Sequence, residues 1–206
     1  MRGAWCLLWI VAACDRSASS SPPPPPEPAV KLLGVNPADF RCESLLRSEQ
    51  LTQLLGAPSR FIESTAVTPT GVAAPCTYQV QAAEQETWIF DIDCRPSMET
   101  RANALFEQYR RTSDDLVEAA AREPQPARAP GEGERARRKP ERAFTVEVGA
   151  KALDHHGQGL LFIDDDAPCY VRVVGPAAAG RLALARHLAT ALTPATAPMS
   201  PRPALP

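Results

Sequence analysis

Proline is the residue that most constrains how this chain can fold, because it lacks a backbone N–H donor and ends helices and interior strands. The chain has 22 prolines among its 206 residues, about twice the usual share of roughly 5%. They are clustered: six lie in 22–28, four in 124–140 and five in 194–206. The sequence between these tracts has the length of one ordinary domain, so a single folded unit is predicted.

The proline tracts set the predicted domain boundaries. We predict one domain over 36–192, with a disordered basic loop inside it at about 123–142 and a disordered tail over 193–206. The loop has no apolar periodicity and is too polar to bury. Its basic cluster, from Arg135 to Arg142, is interpreted as solvated; contact with anionic lipid or a cell-wall polymer is the alternative.

Residues 1–13 have the layout of an export signal. A positive charge at Arg2 precedes the apolar run Ala4–Ala13, and Asp15 follows directly after Cys14. Ten helical residues cover about 15 Å, whereas the hydrocarbon core of a bilayer is about 30 Å thick. The run is therefore too short for a stable transmembrane helix, and we interpret residues 1–13 as a signal peptide.

The end of this run, Val11-Ala12-Ala13-Cys14, resembles a lipobox, the cleavage and lipidation signal of bacterial lipoproteins. A thiol is readily alkylated by a lipid donor, and small residues before it let the extended chain enter a narrow protease site. Cleavage would leave Cys14 as the first residue, carrying acyl chains such as palmitate. Two or more chains anchor a protein stably, since each buried CH₂ contributes about 0.8 kcal/mol. The alternative is an ordinary secretory signal cut after Ala13.

A lipid on Cys14 defines the predicted location and partners. Residues 14–35 are then a Ser/Pro-rich tether, in which polyproline II chain over Asp15–Pro28 spans up to about 40 Å. The protein is expected in the cell membrane or outer membrane, with its domain facing the periplasm or the exterior. An unidentified envelope protein or cell-wall ligand is the expected partner. The net charge of −2 gives no argument for nucleic acid.

Four cysteines remain beyond the signal and the lipidation site: Cys42, Cys76, Cys94 and Cys169. An even number in an exported protein indicates two disulfides. The sequence allows three pairings, of which we favour Cys42–Cys76 with Cys94–Cys169. No two cysteines have the C-x-x-C spacing of structural zinc or thioredoxin-type redox sites.

The periodicity of the domain predicts an α+β fold, an antiparallel sheet with helices packed over it and stapled by disulfides. Leucine spacing before Gly56 predicts two short helices, the second capped by Ser48. A long helix is predicted from a cap at Ser97, restarting at Ser113, and a final helix carries an apolar stripe. The strands are read from alternating or β-branched stretches, which are RFIEST, CTYQVQA, TWIFDIDC, AFTVEVGAKAL with Gly149 as a stop, GLLFIDDD and CYVRVVG.

The domain also resembles the small cell-envelope lipoproteins of unknown function best known from actinobacteria. The shared elements are the lipobox and tether, C-x-x-L-L from Cys42, L-G at Leu55-Gly56, C-x-aromatic from Cys76 and V-G-x-x-A from Val148. The resemblance implies that Cys42 pairs with Cys76, and it implies no known activity. Departures are Tyr78 where tryptophan is usual, the extra cysteines Cys94 and Cys169, and the long basic loop.

Two clusters hold the densest polar chemistry, Asp154-His155-His156 and Asp164-Asp165-Asp166. The histidines with Asp154 are weak candidates for zinc or copper ligands, but adjacent histidines seldom bind one ion. The aspartate run is interpreted as a hairpin turn. We identify no catalytic residue and expect no cofactor, because nucleophile-elbow, zincin, P-loop and Rossmann motifs are missing from the sequence.

The function predicted from these observations is a membrane-anchored envelope lipoprotein with a non-catalytic binding or accessory domain. The first alternative is a metal-dependent envelope enzyme that uses His155, His156 and nearby aspartates. The second is an extracytoplasmic sensor domain.

Overall fold

The computed structural model describes residues 32–122, 141–155, 157–200 and 202–203. These ranges include the predicted domain on both sides of the basic loop. The predicted signal peptide 1–13, the lipidation site Cys14, most of the tether, most of the basic loop and His156 lie outside the described residues.

The fold is α+β, as predicted. A seven-stranded antiparallel sheet has the order β2-β3-β4-β8-β7-β6-β5, and a separate two-stranded sheet joins β1 to β9. The strands are β1 Leu32–Leu33, β2 Ser59–Ile62, β3 Cys76–Gln81, β4 Gln85–Asp93, β5 Phe144–Thr145, β6 Lys151–His155, β7 Gly159–Ile163, β8 Tyr170–Val174 and β9 Arg202–Pro203. A 3₁₀ turn covers Cys42–Ser44, and the helices are α1 Ser48–Leu55, α2 Pro96–Arg122 and α3 Ala178–Ala191.

The two faces of the large sheet are covered differently. One face carries the main core, where α1 and α3 pack over side chains such as Tyr78, Phe90 and Phe162, all 0% exposed. The other face meets α2 through a smaller cluster of Phe106, Leu153 and Leu161. Because strand side chains alternate between faces, consecutive residues of β6 and β7 belong to different cores.

Helix α2 is continuous, so the predicted restart at Ser113 is wrong. Ser113 is fully buried inside the helix, and its Oγ accepts a hydrogen bond of 2.6 Å from the backbone N–H of Ala143. The Ser113 hydroxyl therefore does not cap a helix. It binds the segment before β5 instead, through the N–H of Ala143.

Helix α1 closes the β2 edge of the sheet. The backbone N–H of Ser59 donates to Thr52 Oγ1 at 3.0 Å, and that of Phe61 donates to Ser48 Oγ at 3.1 Å. Ser59 Oγ also donates to the carbonyl of Ser48 at 2.6 Å. These N–H groups are the ones that an added strand would use, so α1 protects β2 from edge-to-edge pairing.

Both predicted disulfides are confirmed. Cys94–Cys169 extends the ladder of β4 and β8 beyond its last pair, Asp93 opposite Tyr170. Cys42–Cys76 joins the 3₁₀ turn to the first residue of β3. All four cysteines are buried, and the bonds connect segments that are 34 and 75 residues apart in sequence.

The prediction of a disordered tail over 193–206 is wrong for 193–200 and 202–203. Ala197 is 0% and Met199 is 7% exposed, and both belong to the main core. β9 pairs with β1, and the Ala197 carbonyl accepts a 2.9 Å hydrogen bond from the Val35 N–H. The last residues of the predicted tether, 32–35, therefore belong to the domain. Prolines are compatible with this segment because Pro194 lies in a turn, whereas Pro198 lies in a β-bridge and Pro203 in a short strand.

Removing the two side chains that protect the β2 edge is expected to destabilise the domain. Ser48→Ala with Thr52→Val leaves two backbone N–H groups without their partners, which costs about 2 kcal/mol in total. Urea unfolding would measure this loss, with Gln53→Ala, on the exposed side of α1, as the control. Equal stability of the double variant and the wild type would show that water replaces both hydroxyls.

Candidate functional site

Asp154, one of the predicted metal candidates, is engaged in a buried ion pair. Arg181 of α3 donates to it through Nε at 2.8 Å and Nη2 at 2.9 Å, so each carboxylate oxygen has its own donor. Arg181 is 0% and Asp154 is 1% exposed. Arg181 Nη1 also donates to the Gly175 carbonyl at 2.7 Å. With both oxygens occupied, this carboxylate is not free to bind a metal or to accept a substrate proton.

His155 lies on the opposite face of the sheet from Asp154. It points to the α2 side, where its ring lies edge-on to Tyr109 with the centroids 6.1 Å apart. His155 Nδ1 accepts a 3.1 Å hydrogen bond from the Gly157 N–H, which in the neutral ring leaves the proton on Nε2. Nε2 is buried and has no hydrogen-bond partner among the described residues.

The structure therefore does not bring Asp154 and His155 together. Within 32–122, 141–155, 157–200 and 202–203, no group of three or more histidine, cysteine or acidic side chains is positioned to hold a metal ion. Any role of His156 stays a prediction, since that residue lies outside these ranges.

Arg181 is the buried polar residue that sequence reasoning missed. The predicted stripe of the last helix is Leu182, Ala185, Leu188, Ala189 and Leu192, whereas the residues buried within α3 are Arg181, Leu184, Ala185 and Leu188. The available signal was its position one turn before Ala185, together with Asp154 in β6, which shares a sheet face with the buried Ala152. An arginine in phase with a buried stripe calls for a buried acidic partner.

The aspartate run forms the predicted hairpin turn between β7 and β8. Asp164 Oδ2 accepts hydrogen bonds from the backbone N–H groups of Ala167 at 2.7 Å and Asp166 at 3.2 Å. Asp164 is only 4% exposed, and its Oδ1 is buried with no partner in the described chain. Burial raises the pKa of Asp164 to about 6, although the two N–H groups act in the opposite direction. Asp165 and Asp166 are exposed.

One part of the sheet is left uncovered by the described helices, and we call it the open face. Its centre is a cross-strand row of four half-buried side chains that belong to neither core, namely Ile62, Thr77, Ile89 and Val174. Polar pairs flank this row on both sides. Arg60 Nε donates to Gln79 Oε1 at 2.9 Å, and Arg172 pairs with Asp91 at 2.6 Å. The open face thus has an apolar centre and a polar rim of mixed charge.

Comparison of this chain with protein-family models, curated proteins and solved structures finds no match. Among the described helices, none combines the length and the apolar character needed to cross a bilayer.

Breaking the Asp154–Arg181 pair is expected to be far more costly than replacing it. Asp154→Asn leaves a buried guanidinium without its counter-charge and should lower the free energy of unfolding by about 3–5 kcal/mol. Asp154→Leu with Arg181→Met removes both charges and should cost less than either single change. A double-mutant cycle by urea unfolding measures this coupling, and additive losses would contradict it.

The buried Asp164 carboxyl is expected to make stability depend on pH. Because its pKa is raised from 3.8 to about 6, its stabilising contribution is complete below about pH 4 and is lost as the pH rises through 6. The free energy of unfolding of Asp164→Asn, relative to that of the wild type, should therefore rise by about 2–3 kcal/mol between about pH 4 and pH 7.

Denaturant unfolding at a series of pH values checks this expectation. Asp39→Asn, an exposed change outside this turn, is the control and should follow the wild type. A pH profile of Asp164→Asn parallel to the wild type would contradict the assignment.

Proposed function

We propose that this chain is a lipid-anchored protein of the bacterial cell envelope, and that its domain binds a folded protein partner through the open face without catalysing a reaction. The export signal, Cys14 at its end and the tether support the anchor. The two disulfides support an oxidising compartment, because such bonds persist mainly outside the cytoplasm.

The composition of the open face is the observation that carries the binding role. Protein interfaces combine an apolar centre with a polar rim and exclude unpaired charge from the centre. The row from Ile62 to Val174 supplies the apolar centre, and the Asp91–Arg172 pair supplies a neutralised rim. Helix α1 caps the neighbouring β2 edge, so the partner is expected to contact side chains rather than to add a strand.

The metal-dependent enzyme is the weaker candidate. Asp154 is held by Arg181, and His155 points to the other side of the sheet. Stoichiometric zinc or copper in the purified protein would reverse this preference, as would loss of function in a His155→Ala/His156→Ala variant.

The anchor is tested by the intact mass of the protein extracted from the membranes of the producing cell. We expect a chain that starts at Cys14 and carries acyl groups. We also expect four cysteines that react with an alkylating agent only after reduction. An unlipidated chain that starts at Cys14 would indicate a secreted protein, and an uncleaved chain would contradict export.

The partner is tested by a photo-cross-linking side chain placed at Thr77, in the centre of the open face, in the producing cell. We expect a discrete protein adduct that disappears when Ile89→Arg is added, because the charge disrupts the apolar centre. The control carries the cross-linker at Thr112, which is exposed on α2, and should lack that adduct. Adducts with saccharide material, or adducts that persist with Ile89→Arg, would contradict a protein partner at this face.

A further inference from the structure

The loop between β2 and β3, residues 63–75, presents a fully exposed valine. The segment contains no helix or strand, and the Val67 side chain is 100% exposed. Its neighbours Thr65 and Ala66 are exposed as well. Single exposed aliphatic side chains are common on protein surfaces, so the exposure of Val67 gains meaning only from the backbone around it.

Hydrogen bonds fix the loop on both sides of Val67, whereas the backbone groups of Val67 itself make none within the described residues. Ala66 N–H donates to Ser64 Oγ at 3.2 Å on one side. Thr68 Oγ1 donates to the Val72 carbonyl at 3.1 Å on the other, where the Val72 N–H also donates to the Pro69 carbonyl. The backbone groups of Val67 make no hydrogen bond within the described chain. They are free for a partner that binds extended chain through its main-chain groups.

The two other large apolar side chains that are exposed in the described part of the chain lack this accessibility. Leu116, 45% exposed, lies inside helix α2, and Phe144, 48% exposed, lies in strand β5. Their backbone groups are engaged in secondary structure, which must open before a protease can bind them as extended chain. Exposed loops with small and polar residues are the preferred sites of proteolytic cleavage in folded domains.

We propose that the Val67–Thr68 peptide bond is a cleavage site for a serine protease whose primary pocket accepts small aliphatic side chains. Val67 would fill that pocket, with the small Ala66 beside it. The next bond, Thr68–Pro69, is protected because the proline nitrogen is tertiary. Hydrolysis adds one water across the bond: the C–N bond breaks, Val67 gains the carboxylate and Thr68 gains the amine.

The disulfide Cys42–Cys76 determines what happens to the two fragments after this cleavage. Cys42 lies before the site and Cys76 after it, so the bond Cys42–Cys76 joins the two fragments. Cleavage would open the loop while the fragment with α1 and β2 stays covalently attached to the sheet. Separation of the fragments would require reduction of that disulfide and loss of both the β2–β3 and the β1–β9 pairing.

The test is limited proteolysis of the oxidised full-length protein by pancreatic elastase, which has such a pocket. Within residues 32–122, we expect the first cut to add the mass of one water without reduction, whatever cuts occur in the tether or in the loop 123–142. After reduction, this cut should give two new chain ends, one at Val67 and one at Thr68. A first cut at any other bond of residues 32–122 would overturn the proposal, as would a loop 63–75 that resists the enzyme.

Two variants separate the pocket contact from general accessibility. Val67→Asp places a charge in the pocket and should slow the cut by about tenfold or more, without affecting folding, because the side chain is fully exposed. Leu116→Asp changes another exposed aliphatic residue and should leave the rate unchanged. Equal rates of cutting for Val67→Asp and the wild type would show that Val67 is not recognised.

Discussion

The position of α3, and with it the packing of the main core, depends on the buried pair of Arg181 and Asp154. The guanidinium fixes α3 over β6 and, through the Gly175 carbonyl, over the end of β8. Helix α3 in turn packs against the segment before α1, where His187 Nε2 lies 3.0 Å from the Leu45 carbonyl. Helix α1 then covers the β2 edge. Two charges removed from water are tolerated because each polar atom of the pair has a matched partner.

The sequence was sufficient for the features that depend on local pattern. Alternation along the strand around Phe90 and the leucine spacing before Gly56 predicted the α+β class, and the favoured cysteine pairing proved right. The packed tail was not predictable, because Ala197 and Met199 have no periodicity and are buried only through tertiary contacts. Proline content was misleading there, since proline disfavours helices and interior strands but is compatible with a turn or an edge segment that packs on the domain.

The open face could not have been found without the strand order. Its central residues, Ile62, Thr77, Ile89 and Val174, are neighbours because β8 pairs not only with β7, which precedes it in sequence, but also with β4, which is far from it in sequence. Each of them alone resembles an ordinary strand residue. The partner of Asp154 could not be predicted for the same reason, because Arg181 lies 27 residues away in sequence and on a helix rather than in the sheet.

The disulfide Cys42–Cys76 also determines how the domain carries tension applied at its N-terminal side. Once the β1–β9 pairing and the Val35–Ala197 hydrogen bond have separated, a pull on Leu32 travels along the chain to Cys42, where the covalent path divides. One branch runs through α1, β2 and the loop 63–75; the other crosses the sulfur–sulfur bond directly into β3 and avoids a sequence separation of 34 residues. The shorter branch becomes taut first, so force enters the sheet at a strand that is paired on both sides. Helix α1 and the edge strand stay slack under load, and a broken peptide bond in the loop does not interrupt the mechanical connection.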